Sequence, residues 1–388
     1  MIISFVSILK MCKYLRHITR NHMLLIFSLF PVYLFAVQLE GNGPHIFSRE
    51  WVFLSKDKRR FILYPSERAF FPFGFNYDHD EKGRLLEDFW DEEWRKVEED
   101  FQEMKEMGAN VVRIHLQFGK FIESPWKIKK ESINQLKRVV RLAEKLGIYL
   151  YITGLGCYHP QNCPDWYKRL DEEGRWQAQA YFWETISAVC SNSPAVFCYD
   201  LMNEPVVPGT RQEDWLAPPF GDKYYTQFIT LDPGNRSRQR VARQWLEKLV
   251  CAIRKNDRRH LITVGLTSFS LDQPGLTSGF VPEKISDCID FLSVHLYPES
   301  DKLDEYKGIL KKFNVGKPVV VAEVFPFYCS ISELESFIID TKHLSAGWIS
   351  FYWGKTTQEL EKGKTISEIV LKNWLEVFQK LSKILHSK

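Results

Sequence analysis

Eight short apolar runs recur between residues 70 and 353, and segments with helical periodicity lie between most of them. After the first run, Trp94, Val97, Phe101 and Met104 recur at spacings of three and four, which is typical of a helix with one buried face. Eight strand–helix units in regular order predict an α/β fold, a (β/α)8 TIM barrel. The predicted strands cover residues 70–76, 110–116, 148–153, 195–203, 261–265, 289–296, 318–322 and 347–353.

Two further features stand outside this regular order. Residues 51–54 and 61–64 are strand-like runs on either side of a charged turn, and they predict an N-terminal hairpin that plugs the barrel floor. The connection of residues 206–239, after the fourth strand, is longer than ordinary loops of compact domains. Because it carries Trp215, Tyr224 and Tyr225, we expect this long loop to form a wall or lid of a cleft.

The N-terminus predicts a leader that is separate from the barrel. Residues 23–37 are apolar over about the length of a signal-peptide core, and cationic but no acidic residues precede them. We interpret residues 1–36 as a signal peptide or, alternatively, a membrane anchor, and residues 37–388 as one catalytic domain. A secreted or extracytoplasmic location follows from the first interpretation, and membrane association would involve residues 23–37 only.

Charge argues against a nucleic-acid partner. The formal net charge of +3 falls to about −1 when the four cationic residues of the leader, Lys10, Lys13, Arg16 and Arg20, are removed. No protein partner is implied by the sequence.

Cysteine usage leaves one question open. Cys157 and Cys163 are close enough in sequence for a small disulfide, and free thiols are the alternative. Cys198 lies within a predicted strand, which favours a buried thiol.

Polar and aromatic residues collect where the predicted strands end. In (β/α)8 barrels the active site forms at the carboxyl ends of the strands, so these side chains should meet there. The fourth and seventh strands both end on a glutamate, Glu204 and Glu323, and two such carboxylates are suited to the two sides of a glycosidic bond. The other residues at these ends are Asn76, Arg113, His115, Asn203, His295, Tyr297 and Trp353.

The segments YDLMNEP (residues 199–205) and KPVVVAE (residues 317–323) carry a family resemblance. Over residues 70–353 the sequence resembles the clan A retaining glycoside hydrolases, most closely the cellulase and endo-β-mannanase group of glycoside hydrolase family 5. The resemblance implies that Glu204 is the general acid/base and Glu323 the nucleophile. It also implies that Asn203 contacts the sugar 2-hydroxyl group.

Supporting roles follow from the same resemblance. Arg113 and Tyr297 would hold Glu323, His295 would support Glu204, and Trp353 would form the floor of the −1 subsite. His159 would take the role of the family's histidine beyond the third strand, although this strand runs into Gly-Leu-Gly here. Asn76, at the end of the first strand, and Trp215, which either stacks on the sugar or anchors the long loop, complete the expected substrate-binding set.

The chemistry requires the two glutamates to titrate differently. We expect Arg113 to favour the charged form of Glu323, while burial and the charge of Glu323 raise the pKa of Glu204.

The expected function is therefore retaining hydrolysis of a β-linked glycan, with endo action on β-1,4-mannan or β-1,4-glucan and with no cofactor or metal. The alternatives are an exo-acting β-glycosidase of the same clan and a non-catalytic carbohydrate-binding barrel. A metal-dependent hydrolase that uses His115, His159 and His295 is a further alternative, although the chain lacks an HExxH helix.

Overall fold

A closed barrel of eight parallel strands forms the centre of the computed structural model, which describes residues 49–273 and 276–385. Neighbours in the barrel are neighbours in sequence, and the eighth strand pairs with the first to close it. The predicted (β/α)8 fold is confirmed. The eight barrel strands, in order, are Phe73–Tyr77, Val111–Gln117, Tyr149–Gly156, Val196–Asn203, Leu261–Thr267, Leu292–His295, Val319–Glu323 and Gly347–Phe351.

Helices connect the strands and cover the outside of the barrel. The helix Lys130–Leu146 shows why: Ile133, Leu136, Val140 and Ala143 are buried on one face. It ends at Gly147, whose φ of 73° is a left-handed conformation that glycine adopts without strain. The other long helices are Trp94–Glu106, Glu172–Cys190, Arg238–Arg254, Leu303–Phe313, Ile331–Thr341 and Ile366–Leu385. The short helices are Leu86–Phe89, Phe118–Phe121, Asp165–Lys168 and Pro282–Ile285, with 3-10 turns at Pro160–Asn162 and Glu359–Lys362.

The predicted hairpin is present as Trp51–Leu54 paired with Phe61–Tyr64, and a third strand, Ala69–Phe70, joins it. The prediction that Phe70 begins the first barrel strand is wrong, because Phe70 pairs with Phe61 in this small sheet. The Phe61 ring meets Phe197 and Phe291 edge-on, at centroid distances of 5.1 and 5.2 Å. The hairpin thus fills the amino-terminal floor of the barrel with aromatic side chains, as predicted.

The long loop after the fourth strand is held down at several points. Two short strands, Pro205–Val206 and Gln227–Phe228, pair at its base. Trp215 is buried in it, donates its indole N–H to the Lys168 carbonyl oxygen at 3.0 Å and covers the Arg175 guanidinium. The two remaining short strands of the described chain, Ile122–Ser124 and Lys127–Ile128, form a separate hairpin.

Several predictions concern the N-terminus and the cysteines. The predicted leader, residues 1–36, lies outside the described residues, and the domain boundary at residue 37 stays a prediction. No helix among the described residues is both long and apolar enough to cross a bilayer. Cys157 and Cys163 are both buried and free, so the disulfide alternative is absent, and Cys198 is buried as predicted.

Candidate active site

A cavity of about 450 Å³ opens at the carboxyl ends of the barrel strands. This is within the ordinary size range of small-molecule sites. Both glutamates line it, and so does part of the long loop, which confirms that loop as a wall. The lining residues are Asp78, His79, His115, Asn203, Glu204, Pro218, Phe220, Tyr225, Thr226, Tyr297, Glu323, Phe327, Tyr328, Phe351 and Trp353.

Arg113, on the second strand, lies under the cavity and is fully buried. Its Nη1 donates to Glu323 at 2.5 Å and to the Asn76 side-chain oxygen at 2.8 Å. Its Nη2 donates to Asp200 at 2.8 Å and to the Asn203 side-chain oxygen at 2.9 Å. Burial opposes the charged form, but the two carboxylates outweigh it and keep the pKa of Arg113 above its usual value.

Glu323 ends the seventh strand between three donors. One carboxylate oxygen accepts from Arg113, and the other accepts from the Tyr297 hydroxyl at 2.5 Å. The second oxygen also lies 3.3 Å from Nδ1 of His295. Burial and the charge of Glu323 raise the pKa of Tyr297 well above its usual value, so this phenol stays protonated and donates. Glu323 is therefore held in one orientation.

Glu204 follows the fourth strand with an unusual backbone conformation, φ +45°, which costs strain in a non-glycine residue. Its N–H donates to the Gly265 carbonyl oxygen at 3.0 Å, which fixes this turn. Its carboxylate receives the Thr226 hydroxyl at 2.8 Å and lies 2.9 Å from Nδ1 of His295. The turn thus aims the carboxylate at the cavity.

The two glutamates face each other at short range. One oxygen from each glutamate and one nitrogen of His295 lie within 4.8 Å of one another. Retaining glycosidases hold their two carboxyl groups about 5–5.5 Å apart, whereas inverting enzymes leave about 6.5–9.5 Å for a water molecule. The arrangement matches the shorter spacing.

The expectation for Glu204 titration is wrong in direction. Burial acts to raise the pKa of Glu204, but the contacts with His295 and Thr226 outweigh it and lower the pKa below the usual value. The sequence places His295 near the site, but it does not indicate that one imidazole nitrogen serves both carboxylates. Thr226, in the long loop, was not anticipated at all.

Buried residues behind the cavity support this arrangement. Asp200 also accepts from the Thr153 hydroxyl at 2.8 Å and from the Gly265 N–H at 2.7 Å. A β-carbon on Gly265 would lie 3.1 Å from the His295 ring and 3.2 Å from the Arg113 guanidinium. A larger residue there would therefore push the His295 ring and the Arg113 guanidinium by a few tenths of an ångström. Asn76 donates to backbone carbonyl oxygens of the seventh and eighth strands, at 2.8 Å each, and is absent from the cavity lining.

His115 is a neutral buried imidazole. Burial and the charge of Arg113 hold its pKa well below the usual value. Its Nδ1 meets the Tyr158 hydroxyl at 2.5 Å, and its Nε2 lies 3.3 Å from the Asn76 side-chain oxygen.

Trp353 follows the eighth strand and lines the cavity, as the sequence predicted. Its ring is parallel to that of His79, with centroids 5.6 Å apart and an interplanar angle of 5°. Sequence reasoning missed His79 and the neighbouring Asp78. Both residues directly follow the polar end of the first strand, and this position in the sequence could have indicated that they line the cavity.

Five residues of the predicted substrate-binding set are absent from the cavity lining: Asn76, Arg113, His159, Trp215 and His295. His159 is half-buried before the 3-10 turn Pro160–Asn162 and is absent from the lining. Trp215 packs beneath the long loop on Arg175. The three-histidine set of the metal alternative is consequently not assembled. Glu204, His295 and Glu323 are the group with ligand-like spacing among the described residues.

The sequence profile of the cellulase family, glycosyl hydrolase family 5, matches residues 74–326. The chain belongs to glycosyl hydrolase family 5. The matched region runs from the first barrel strand to just beyond Glu323, so it contains both glutamates of the cavity.

One relative is similar in sequence over part of the chain. Mannan endo-1,4-beta-mannosidase A of Emericella nidulans is 27% identical over 183 residues, which are 44% of this chain and 41% of that protein. The match therefore spans less than half of that relative's length.

Solved structures share the fold of this family 5 chain. An exo-beta-1,4-mannosidase from Opitutaceae bacterium strain TAV5 is similar with a TM-score of 0.63 and 15% identity, over 86% of this chain and 62% of that one. A beta-1,4-mannanase from the sea hare Aplysia kurodai gives a TM-score of 0.55 and 15% identity, over 85% and 96%.

Asp200 offers a test of the buried charge network. We expect Asp200→Asn to destabilise this family 5 barrel by about 3 kcal/mol, because it removes one partner of a buried guanidinium. Urea unfolding followed by tryptophan fluorescence measures the change. Asp301→Asn, at an exposed position, is the matched control and should stay within about 0.5 kcal/mol of wild type. Equal unfolding midpoints for Asp200→Asn and wild type would contradict the role given to Asp200.

Proposed function

We propose that this chain is a retaining β-glycosidase that hydrolyses β-1,4-linked mannan or a related glycan by double displacement. The observation that carries the proposal is the pair Glu204 and Glu323, whose nearest oxygens lie within 4.8 Å across a cavity. Glu323 is the nucleophile, because Arg113 and Tyr297 both donate hydrogen bonds to its carboxylate oxygens and hold it in place. Glu204 is the acid/base.

The first step forms a bond between a Glu323 oxygen and the anomeric carbon of the sugar. The bond from that carbon to the glycosidic oxygen breaks, and the leaving oxygen takes the proton of the Glu204 carboxyl group. Glu323 loses its negative charge in the resulting ester. The positive charge of Arg113 is still paired at that stage, because Asp200 stays bound to the guanidinium.

The second step reverses these roles. The Glu204 carboxylate takes a proton from water, the water oxygen bonds to the anomeric carbon, and Glu323 leaves as a carboxylate. The sugar is released with the anomeric configuration it had in the substrate. Throughout, the ring lies over Trp353, and Asn203 is available at its 2-hydroxyl group.

The substrate class rests on chemistry together with resemblance. A cavity with carboxylates, amides and aromatic rings suits a sugar, and the relatives named above act on mannan or β-1,4-mannosides by their names. No metal or cofactor takes part in either step. A glycan is the only partner that the proposal requires.

We also infer export from the cell. Family 5 membership and the apolar residues 23–37 support a leader that directs secretion. Full-length chain expressed in a secretory host should appear in the medium with residues 1–36 removed, as read by mass spectrometry of its N-terminus. Recovery of an intact chain in the membrane fraction would favour the anchor instead.

The two catalytic roles predict different losses of activity when each glutamate is replaced. Glu323→Gln should lower kcat at least 1,000-fold on every substrate, because no covalent intermediate can form. Glu204→Gln should lose far less activity on a dinitrophenyl β-mannoside than on mannotetraose, because dinitrophenolate can leave without being protonated. Initial rates of both substrates measure this. Proton NMR of the first product should show the retained anomer.

Three results would contradict the main proposal or select an alternative. An inverted first product would exclude double displacement. Loss of activity on chelation would favour a metal-dependent hydrolase. Binding of mannan by a folded wild-type chain that never cleaves it would favour a non-catalytic barrel.

The lowered pKa of Glu204 predicts a pH effect. Glu204 must be protonated to act as the acid, so kcat/KM falls as pH rises through its pKa, and this limb lies on the acidic side of neutrality. Thr226→Val removes a hydrogen bond that lowers this pKa. The limb should therefore move up by about one pH unit, since a hydrogen bond to a charged group contributes ~1.5 kcal/mol.

Thr226→Ser is the matched control for this shift. It keeps the hydroxyl donor, so its pH profile of kcat/KM should follow that of wild type. A downward or absent shift in Thr226→Val would contradict the role given to the Thr226 contact.

A further inference from the structure

We propose that the cavity ends just beyond the sugar that Glu323 attacks, so that no further sugar of the chain can bind on that side. Asp78 binds the 4-hydroxyl group of the sugar that is attacked. The enzyme would then remove single sugars from the non-reducing end of a chain rather than cut within it. This inference rests on the proposed function and assigns its mode of action.

The closure is a bridge between the long loop and the first strand. The Tyr225 hydroxyl donates to Asp78 at 3.2 Å. The same tyrosine is tied to the fourth strand, because Asn203 donates to its carbonyl oxygen at 3.1 Å. The adjacent Tyr224 N–H donates to the carbonyl oxygen of Tyr158, after the third strand, at 2.9 Å. The loop that leaves the fourth strand thus crosses the third strand and reaches the first.

The direction of the substrate follows from the roles of the two glutamates. Glu204 gives its proton to the leaving oxygen, so the leaving part of the chain lies on the side of the fourth strand. The sugar attacked by Glu323 lies over Trp353, whose ring stacks on His79. Asp78 and His79 directly follow the first strand, and that strand lies between the eighth and the second, away from the fourth. The bridge at Asp78 therefore stands where a preceding sugar would have to pass.

Asp78 is suited to recognising a chain end. Its side chain is about 6% exposed yet lines the cavity. Tyr225 binds one of its oxygens, whereas Oδ1 is buried and has no hydrogen-bond partner in the described part of the chain. Buried carboxylate oxygens are normally paired, so a ligand hydroxyl group is the expected partner. Only a terminal sugar carries a free 4-hydroxyl group, because an internal sugar has a glycosidic oxygen there that cannot donate.

The rim of the cavity also carries exposed aromatic side chains. Phe220, from the long loop, and Phe327, from the segment after the seventh strand, have ring centroids 6.3 Å apart. Together with Tyr328 they form the exposed aromatic part of the lining. Exposed apolar surface beside a polar cavity is typical of a ligand-binding rim.

The first measurement is the product pattern of wild-type protein on β-1,4-mannohexaose labelled at its reducing end. We expect labelled products that shorten by one sugar at a time, with free mannose as the unlabelled product from the earliest time points. Early unlabelled di- or trisaccharides would overturn the inference and leave the proposed function standing. A folded wild-type chain that cleaves neither this substrate nor an aryl β-mannoside would instead overturn the proposed function.

The second measurement assigns the contact to Asp78. In wild type, a 4-deoxy aryl β-mannoside should have a kcat/KM at least 100-fold below that of the parent glycoside, because a buried polar group is left unpaired. In Asp78→Ala the parent glycoside should lose about as much, and the two glycosides should then be cleaved within about threefold of each other. A merely structural role for Asp78 would leave the penalty for the 4-deoxy sugar unchanged.

Two variants keep the test decisive if Asp78→Ala folds poorly. Tyr225→Phe removes the bridging hydrogen bond without touching the carboxylate, and we expect early disaccharide products from it. Glu213→Gln, exposed in the same loop, is the charge-matched control and should keep the wild-type product pattern. An unchanged product pattern in Tyr225→Phe would overturn the inference.

Discussion

The charge balance around Arg113 is the constraint on which the site depends. A fully buried guanidinium must be paired, and here it is shared between Asp200, a permanent partner, and Glu323, whose charge is consumed and restored in each proposed turnover. The side-chain oxygens of Asn76 and Asn203 accept further hydrogen bonds from it. Because these residues come from the first, second, fourth and seventh strands, the network fixes the relative positions of strand ends as well as the nucleophile.

The sequence predicted the fold and the meeting of the two glutamates at one cavity, and for a common reason. Strand runs are local patterns, and the end of a strand in such a barrel is already a position in space. Glu204, Glu323, Arg113, Tyr297 and Trp353 all belong to such ends. Their meeting in one cavity therefore needed no knowledge of the loops.

The failures lie where position depends on loop geometry. Trp215 and Tyr225 belong to the same loop, yet one packs beneath it and the other reaches the cavity. Nothing in the local pattern separates the two. The prediction for the pKa of Glu204 was wrong for the same reason, because the direction of the pKa shift depends on Thr226 and on the position of His295 between the two carboxylates.

The aromatic floor has a consequence for how such a barrel can diverge. Phe61, Phe197 and Phe291 close one end, and the glutamates and the bridging loop occupy the other. Part of the core thus lies at positions that do not contact the sugar. Substitutions that repack this floor can change stability in a lineage while the residues that line the cavity stay the same.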